Sequence, residues 1–438
     1  MISRRDFIGV SSVAVAGSVA GSVTACEPSA REGAAGGSSG EDLPPSIAAL
    51  ESQAHRATPI STEEREARIE KARDLMTRED MAALMLTGGT SLQYFTGIRW
   101  GLSERLLAVV IPVRGQAFLV CPAFEEGRAR EQLEGGLLAG AEILTWHEHE
   151  SPYVLVAQGM KGRGLASGTL GVEETVRFVF SDGVARVAPA LTLTSGTPVT
   201  AGCRAVKDEH ELALMRLANE VTLTAYQAAY RALEAGMSQG DFSRLVSQAH
   251  GRQGFSGGAG VQVGQYAALP HGSRAPQTIE EGQILLMDGG CSVEGYRSDI
   301  SRTFLVGEPT EKMREVFRIV HRAQTAALEA AGPGVEAQAV DAAARSVIEE
   351  AGYGPGYTYF THRVGHGIGM DGHEWPYLVK GNTLALEPGM TFSDEPGIYI
   401  PDEFGVRLED DMYVTEEGAE LFTPQSPSLD DPFGNWPA

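Results

Sequence analysis

The stretch MDGGCSVEGYRSDISRTF, Met287 to Phe304, is where the reading of this chain turns. Its pattern is a short strand, a turn and a second strand, with Asp288 on the first arm and Asp299 on the second. A carboxylate on a strand is expensive to bury without a partner. If Asp288 stands directly opposite Asp299, the turn falls at Val293-Glu294, and Gly290, Ser292 and Arg297 share their face. Cys291 then has the other parity and faces away, opposite Tyr296. Two carboxylates about 5 Å apart across a ladder repel each other. Either one holds a proton or a cation sits between them. Gly289 and Gly290 leave room for a group to approach the backbone. The plainer alternative is that one aspartate merely caps the turn.

Three later segments bear on that choice. THRVGHGIGMDGHEWP (361–376) holds His362, His366 and His373 in a glycine-rich loop. FSDEPGIYI (392–400) puts Glu395 before Pro396 and Gly397. VRLEDDMYVT (406–415) puts Arg407 and Glu409 on a strand of alternating pattern. One imidazole and four carboxylates suit a pair of hard-to-borderline divalent ions. Bridging carboxylates hold two such ions about 3.5–4 Å apart. HEHE at 147–150 lacks the helical spacing of a zinc motif and reads as an exposed connection.

The 438 residues suffice for two or more domains, and 42% hydrophobic content allows a sizeable core. With 35 Lys+Arg against 58 Asp+Glu, the net charge of −23 argues against a nucleic-acid partner, which needs a basic footprint. Residues 1–26 read as a twin-arginine export signal, Ser3-Arg4-Arg5-Asp6-Phe7-Ile8, with a small-residue run ending in a lipobox-like Val23-Thr24-Ala25-Cys26. Cys26 is then the lipidation site of a periplasmic or cell-envelope lipoprotein, and membrane contact comes only through the signal or the lipid. An uncleaved anchor is the alternative. Residues 27–60 read as a flexible tether. Cys121, Cys203 and Cys291 remain, an odd number without zinc spacing.

From Ser61 helix and strand alternate, with strand candidates in MAALMLTGG, LLAVVIPV and QAFLVCP. Residues 61–203 form the first domain, residues 204–430 the second, and 431–438 a tail. The second opens on a long helix with Asp208 and Glu211 in a capping-box arrangement, closed by Gly236. Two further helices are expected at about 311–331 and 336–351.

The set resembles the pita-bread metallopeptidases, in particular their proline-specific branch of Xaa-Pro aminopeptidases and Xaa-Pro dipeptidases (prolidases). The segments that carry the likeness are LPHG (269–272), DGGCSVEGYRSDISRTF (288–304), HRVGHGIGMDGHEWP (362–376), EPGIY (395–399) and VRLEDDMYVT (406–415). LQYFTGIRWGLSERLLAVVIP (92–112) resembles the family's first domain. The implied fold is α/β (α+β), an N-terminal creatinase-like α/β domain followed by a C-terminal pita-bread catalytic domain.

By this resemblance Asp288, Asp299, His366, Glu395 and Glu409 match the metal ligands. Asp299 and Glu409 match the bridging pair, Asp288 holds one ion, and His366 with Glu395 holds the other. The cofactor is two divalent ions, Mn²⁺ ahead of Co²⁺, Zn²⁺ or Fe²⁺. A metal-bridging hydroxide attacks the Xaa-Pro bond of a small peptide. His373 stabilises the oxyanion, Glu395 relays the proton, and His271 and His362 hold substrate. Arg407 matches an arginine near the metals. Arg99 or Trp100 limits substrate length, and a homodimer is expected. Two other readings stay open: a non-peptide hydrolase or lyase on the same scaffold (creatinase-like or acting on sulfonium compounds), and an inactive binding module. Dipeptidase and aminopeptidase are not separated.

Overall fold

The computed structural model describes residues 43–437, so the twin-arginine segment and Cys26 lie outside the described residues. Among these residues no helix is long and apolar enough to cross a membrane. The first long helix, Thr62–Arg78, starts where Ser61 accepts from the Glu64 amide and Glu64 reaches back to the Ser61 amide. The same box, Asp208 with Glu211, starts the helix Glu209–Tyr230. Each box satisfies two backbone donors that the helix itself cannot.

The N-terminal half is a six-stranded mixed sheet. Its strand order is Glu142–Trp146, Phe118–Pro122, Ala108–Pro112, Ala83–Thr87, Gly168–Val172, Leu191–Ser195. The central strands are buried along their whole length, which is why they read as continuous apolar runs. HEHE at 147–150 is exposed, as expected. The C-terminal half is built on two larger sheets and a two-stranded one, Gly397–Ile400 with Phe404–Arg407. One pairs Ile300–Leu305, Ile284–Val293 and Ser256–Val263. The other runs Glu374–Leu378, Gly365–Gly367, Thr391–Asp394, Asp410–Val414, Ala419–Leu421. Helices Glu311–Ala330 and Ala337–Glu350 stand within a residue or so of their expected places. They bury Val316, Val320, Val340 and Ile348 in one core with Phe392 and Val406 of the strands.

Two expectations about helices are corrected. The Asp208 helix ends at Tyr230, six residues before Gly236, which follows at φ 94° in a separate turn. A further helix, Gln239–Arg252, capped by Ser238, was not anticipated. It buries only Phe242, Val246, Ala249 and His250, too sparse a stripe to stand out in the sequence.

The register around Asp288 also differs from expectation. Val293 pairs with Tyr296, so the turn is Glu294-Gly295, one residue later than Val293-Glu294. Both turn residues have positive φ, 52° and 96°, as a two-residue hairpin requires. Asp288 therefore pairs with Ser301, and Asp299 does not face it. Asp299 sits in a break of the second arm, where its amide donates to Asp411 Oδ2 at 3.0 Å rather than to the ladder. A Cβ at Gly290 would collide with the Ser298 carbonyl, so only glycine fits opposite that break. Cys291 does face away, with Sγ 3.3 Å from the Ala218 carbonyl.

The halves share an apolar core, with Ile69 and Met76 of the first helix against Leu214, Val221, Cys291 and Val293. Within it Arg68 donates to the Tyr296 hydroxyl at 2.8 Å, and that hydroxyl donates to Glu211 at 2.7 Å. Tyr296 so braces the Asp288–Asp299 hairpin from behind.

Candidate metal centre

The two larger C-terminal sheets meet where Ser301 and Glu409 exchange backbone hydrogen bonds of 3.3 and 3.2 Å. That join brings carboxylates from separate strands into one cleft of about 470 Å³. Asp288 comes from the middle of its strand and Asp299 from the break. His366 comes from the short Gly365–Gly367 strand, Glu395 from just beyond Thr391–Asp394, and Glu409 from the join. Their donor atoms form overlapping groups, each spanning no more than 4.8 Å: Asp288, Asp299 and Glu409 in one, His366, Glu395 and Glu409 in a second, Asp299, His366 and His373 in a third. All five expected ligands are brought together.

The electrostatics show what this cleft demands. Burial, then the nearby Asp288 and Asp411, hold the Asp299 carboxyl well above the usual range. Burial and the neighbouring Asp299 do the same to Glu409. Glu395 is pushed up to about 7 by burial, against the pull of Arg407. Buried like charges of this kind call for cations between them. His366 Nδ1 lies 3.1 Å from the Gly367 carbonyl. That contact makes Nδ1 the protonated nitrogen and leaves the Nε2 lone pair, 3.3 Å from Glu395 Oε1, for a metal. Burial pushes this imidazole down to about 3, which keeps it neutral. The donor set fits divalent cations with oxygen and imidazole ligands.

Arg407 is the hinge of the surrounding network. It gives Nη2 to Asp288 Oδ2 at 2.6 Å, Nη1 to Tyr399 at 2.9 Å and to the Pro270 carbonyl at 3.0 Å, and Nε to Ser301 at 3.0 Å. Ser301 passes a hydrogen bond on to Glu409 Oε2 at 2.6 Å. Tyr399 pairs with His362 Nε2 at 2.7 Å, and His362 Nδ1 pairs with the Arg363 carbonyl at 2.8 Å. Burial, then Arg407, holds His362 down to about 3. With both nitrogens engaged, His362 has no free atom for a substrate. It lines the cleft and orients Tyr399.

His271 and His373 open onto the cleft and are exposed. The His373 ring stacks on His366 with centroids 3.7 Å apart. Its Nδ1 faces Arg363 Nη2 at 3.4 Å. An arginine only donates, so His373 carries its proton on Nε2. Glu374 does not pair with His373; it forms buried ion pairs with Arg204 and Lys207. Ser301, Tyr399 and Arg363 belong to the site, yet sequence reasoning passed over them although each lies inside a quoted motif. Trp100 is not brought to this cleft. It is 7% exposed in the core shared by the two halves, with the Arg128 guanidinium 4.1 Å over its ring.

Comparison with known proteins places these motifs. The pattern of metallopeptidase family M24 matches residues 213–416, and that of the creatinase/prolidase N-terminal domain matches residues 68–206. The chain is 37% identical over 342 residues to a probable dipeptidase PepE of Mycobacterium tuberculosis, covering 77% of this chain and 89% of the relative. It is 34% identical over 370 residues to an Xaa-Pro dipeptidase of Lactobacillus delbrueckii subsp. lactis, covering 82% and 98%. The crystal structure of dipeptidase PepE from Mycobacterium ulcerans superposes with a TM-score of 0.79 at 32% identity, over 85% of this chain and 99% of the other. These likenesses correct one reading. They rest on the two matched domains and on relatives named as dipeptidases, and nothing in them supports a twin-arginine signal, a lipidated Cys26 or a periplasmic lipoprotein.

Proposed function

The chain belongs to metallopeptidase family M24, behind a creatinase/prolidase N-terminal domain, and is a metal-dependent peptidase; from this we propose that it hydrolyses the Xaa-Pro bond of dipeptides with two divalent ions, Mn²⁺ foremost. The observation that carries the reading is the convergence of Asp288, Asp299, His366, Glu395 and Glu409 into overlapping donor groups. Asp288 would hold one ion and His366 with Glu395 the other. Asp299 and Glu409, each shared between groups, would bridge them. The oxygen-rich set favours Mn²⁺ over Zn²⁺ and also fits Co²⁺ or Fe²⁺.

When bound, two such ions make water a nucleophile near neutral pH and polarise the scissile carbonyl. The remaining work falls to the protein. His373 presents its Nε2 proton to the carbonyl oxygen as charge develops there. Glu395 accepts the nucleophile's proton and hands it to the departing proline nitrogen. Arg407, held by Tyr399 and Ser301, keeps Asp288 in place. His271 sits at the mouth of the cleft, and Val379 and Tyr357 line its wall as an apolar surface for the proline ring. A substrate bond without an N–H needs no strand-like backbone pairing.

Assembly as a homodimer is part of the proposal. The N-terminal half exposes Phe124 and Phe178 at 65% and 81%. The functional test is Mn²⁺-loaded protein on Ala-Pro and Ala-Pro-Ala. Hydrolysis of Ala-Pro alone supports a dipeptidase, and cleavage of both peptides an aminopeptidase. Failure on both refutes the Xaa-Pro reading.

A further inference from the structure

The His373 ring rests on a 3.7 Å stack with His366 and a 3.4 Å hydrogen bond from Arg363, and is otherwise exposed. Its aim therefore depends on the backbone of the turn that carries it, Gly369 to Glu374. Two acids of that turn close on one guanidinium. Arg204 Nη2 donates to Asp371 Oδ2 at 2.7 Å and also to Glu374 Oε1. Glu374 Oε1 takes the Asp371 amide at 2.9 Å, and Glu374 Oε2 faces Lys207 Nζ at 3.3 Å. Thr90 donates to Asp371 Oδ1 at 2.6 Å, and Arg204 Nη1 donates to Ser91 at 3.2 Å. The fit is close: a Cβ on Gly369 would meet Glu374 Oε2 at 2.8 Å and Lys207 Cε at 2.9 Å. Thr90, Ser91 and Arg204 lie within the N-terminal domain matched over residues 68–206. Neither they nor Lys207 and Glu374 line the cleft.

We propose that Arg204 is a positioning residue for His373, through which the N-terminal domain sets the catalytic turn of the C-terminal one. The proposal rests on the oxyanion role given to His373 above. Stability alone does not ask for this cluster. Arg204, Lys207 and Glu374 are 7%, 5% and 7% exposed. Burying such ions carries a desolvation cost that apolar side chains of the same volume avoid. What the ions supply is direction. One nitrogen meets both acids, so Asp371 and Glu374 are fixed relative to each other, and His373 stands between them in the chain. A misplacement of about 1 Å at a reacting group is enough to lower a rate by about 100-fold. The same contacts make a closed interface between the two domains essential to the chemistry, although the metal ligands all come from the second.

The test is a double-mutant cycle on Mn²⁺-loaded full-length protein with Ala-Pro, joining Arg204→Met to His373→Ala. Arg204→Met is expected to lower kcat by about 10–100-fold, with KM within about twofold and metal content unchanged. Arg204→Lys should recover part of the loss. On the His373→Ala background Arg204→Met should cost nothing further, because its effect passes through that imidazole. Losses that multiply would show that Arg204 only supports the fold, and would overturn the proposal. So would a His373→Ala variant as fast as wild type. Where Arg204→Met does not fold, Thr90→Val removes a single contact to Asp371. The same cycle then expects a loss of about two- to threefold on wild type and none on His373→Ala. NMR of ring-labelled histidine in the diamagnetic Zn²⁺-loaded protein reads the position without turnover. The signal that His373→Ala removes should shift or broaden in Arg204→Met and Thr90→Val, and an unmoved signal in both overturns the clamp. A wild type inactive on Ala-Pro refutes the Xaa-Pro reading, and the NMR comparison then decides the clamp by itself.

Discussion

Arg407 closes on Asp288, Nη2 to Oδ2 at 2.6 Å, while its other nitrogens hold Ser301, Tyr399 and a backbone carbonyl. A single buried guanidinium thus aligns one expected ligand directly and a second, Glu409, through Ser301. Lysine has one point of charge and cannot reproduce that fork. Arg407→Lys is expected to lower kcat/KM by about 10–100-fold and to weaken retention of one ion, the usual scale for a lost partner of a ligand. Elemental analysis after dialysis, beside kinetics, checks it. Full metal retention with full activity would show that Arg407 only balances charge.

Asp299→Asn removes a carboxylate shared between two of the donor groups. Metal content and activity should fall together, activity by more than about 100-fold. In the metal-free protein Asp299 is crowded by Asp288 and Asp411, so the metal-free variant should melt no lower than the metal-free wild type. A lower melting temperature would mean that misfolding, not ligand loss, explains the inactivity.

Tyr296→Phe takes the hydroxyl from between Arg68 and Glu211, all three buried. The expected loss is about 1–3 kcal/mol of stability, because Glu211 loses a donor it cannot replace with water. Urea unfolding measures it. Since Tyr296 stands behind the hairpin and outside the cleft, kcat/KM should stay within about twofold at 25 °C.

His250 supplies an acid-sensitive element. It is fully buried, with Nδ1 2.9 Å from the Val246 carbonyl and Nε2 3.3 Å from Thr222. Burial pushes its pKa down to about 4, from about 6.5 in the unfolded chain. Between those values the unfolded chain holds the extra proton, so folding stability falls as pH drops from about 6.5 to about 4. The group's share is about 3 kcal/mol. Denaturant midpoints of wild type and His250→Gln across this range test it. The variant should show a flatter pH dependence, and parallel curves would rule His250 out.

Trp100→Ala should act on stability alone. Removing a buried indole costs about 3–5 kcal/mol, and the ratio of Ala-Pro to Ala-Pro-Ala hydrolysis should not move. A changed ratio at equal folded fraction would return Trp100 to substrate selection.

Much of the fold was open to reading. The capping box of Asp208 with Glu211 is a local arrangement of neighbouring residues, and it formed where its spacing put it. The apolar runs around Leu84, Val109 and Leu119 became buried strands for the same reason. The ligand types were legible because few other chemistries want four carboxylates and a glycine-flanked histidine. The hairpin register was not. It turns on the Asp299 amide finding Asp411 across 112 residues of chain, and no local pattern carries that.

By itself, then, the sequence determined the chemical character of this protein. Its helix starts, its buried strands, and the identity and order of Asp288, Asp299, His366, Glu395 and Glu409 follow from residue type and short-range spacing. The tertiary structure alone decided which donors are free. It consumed both nitrogens of His362, spent every arm of Arg407, sank Trp100 into the core and laid Arg363 over Tyr377 beside His373. Availability depends on partners brought together from distant strands, and a hydrogen bond exists only once both ends have been placed.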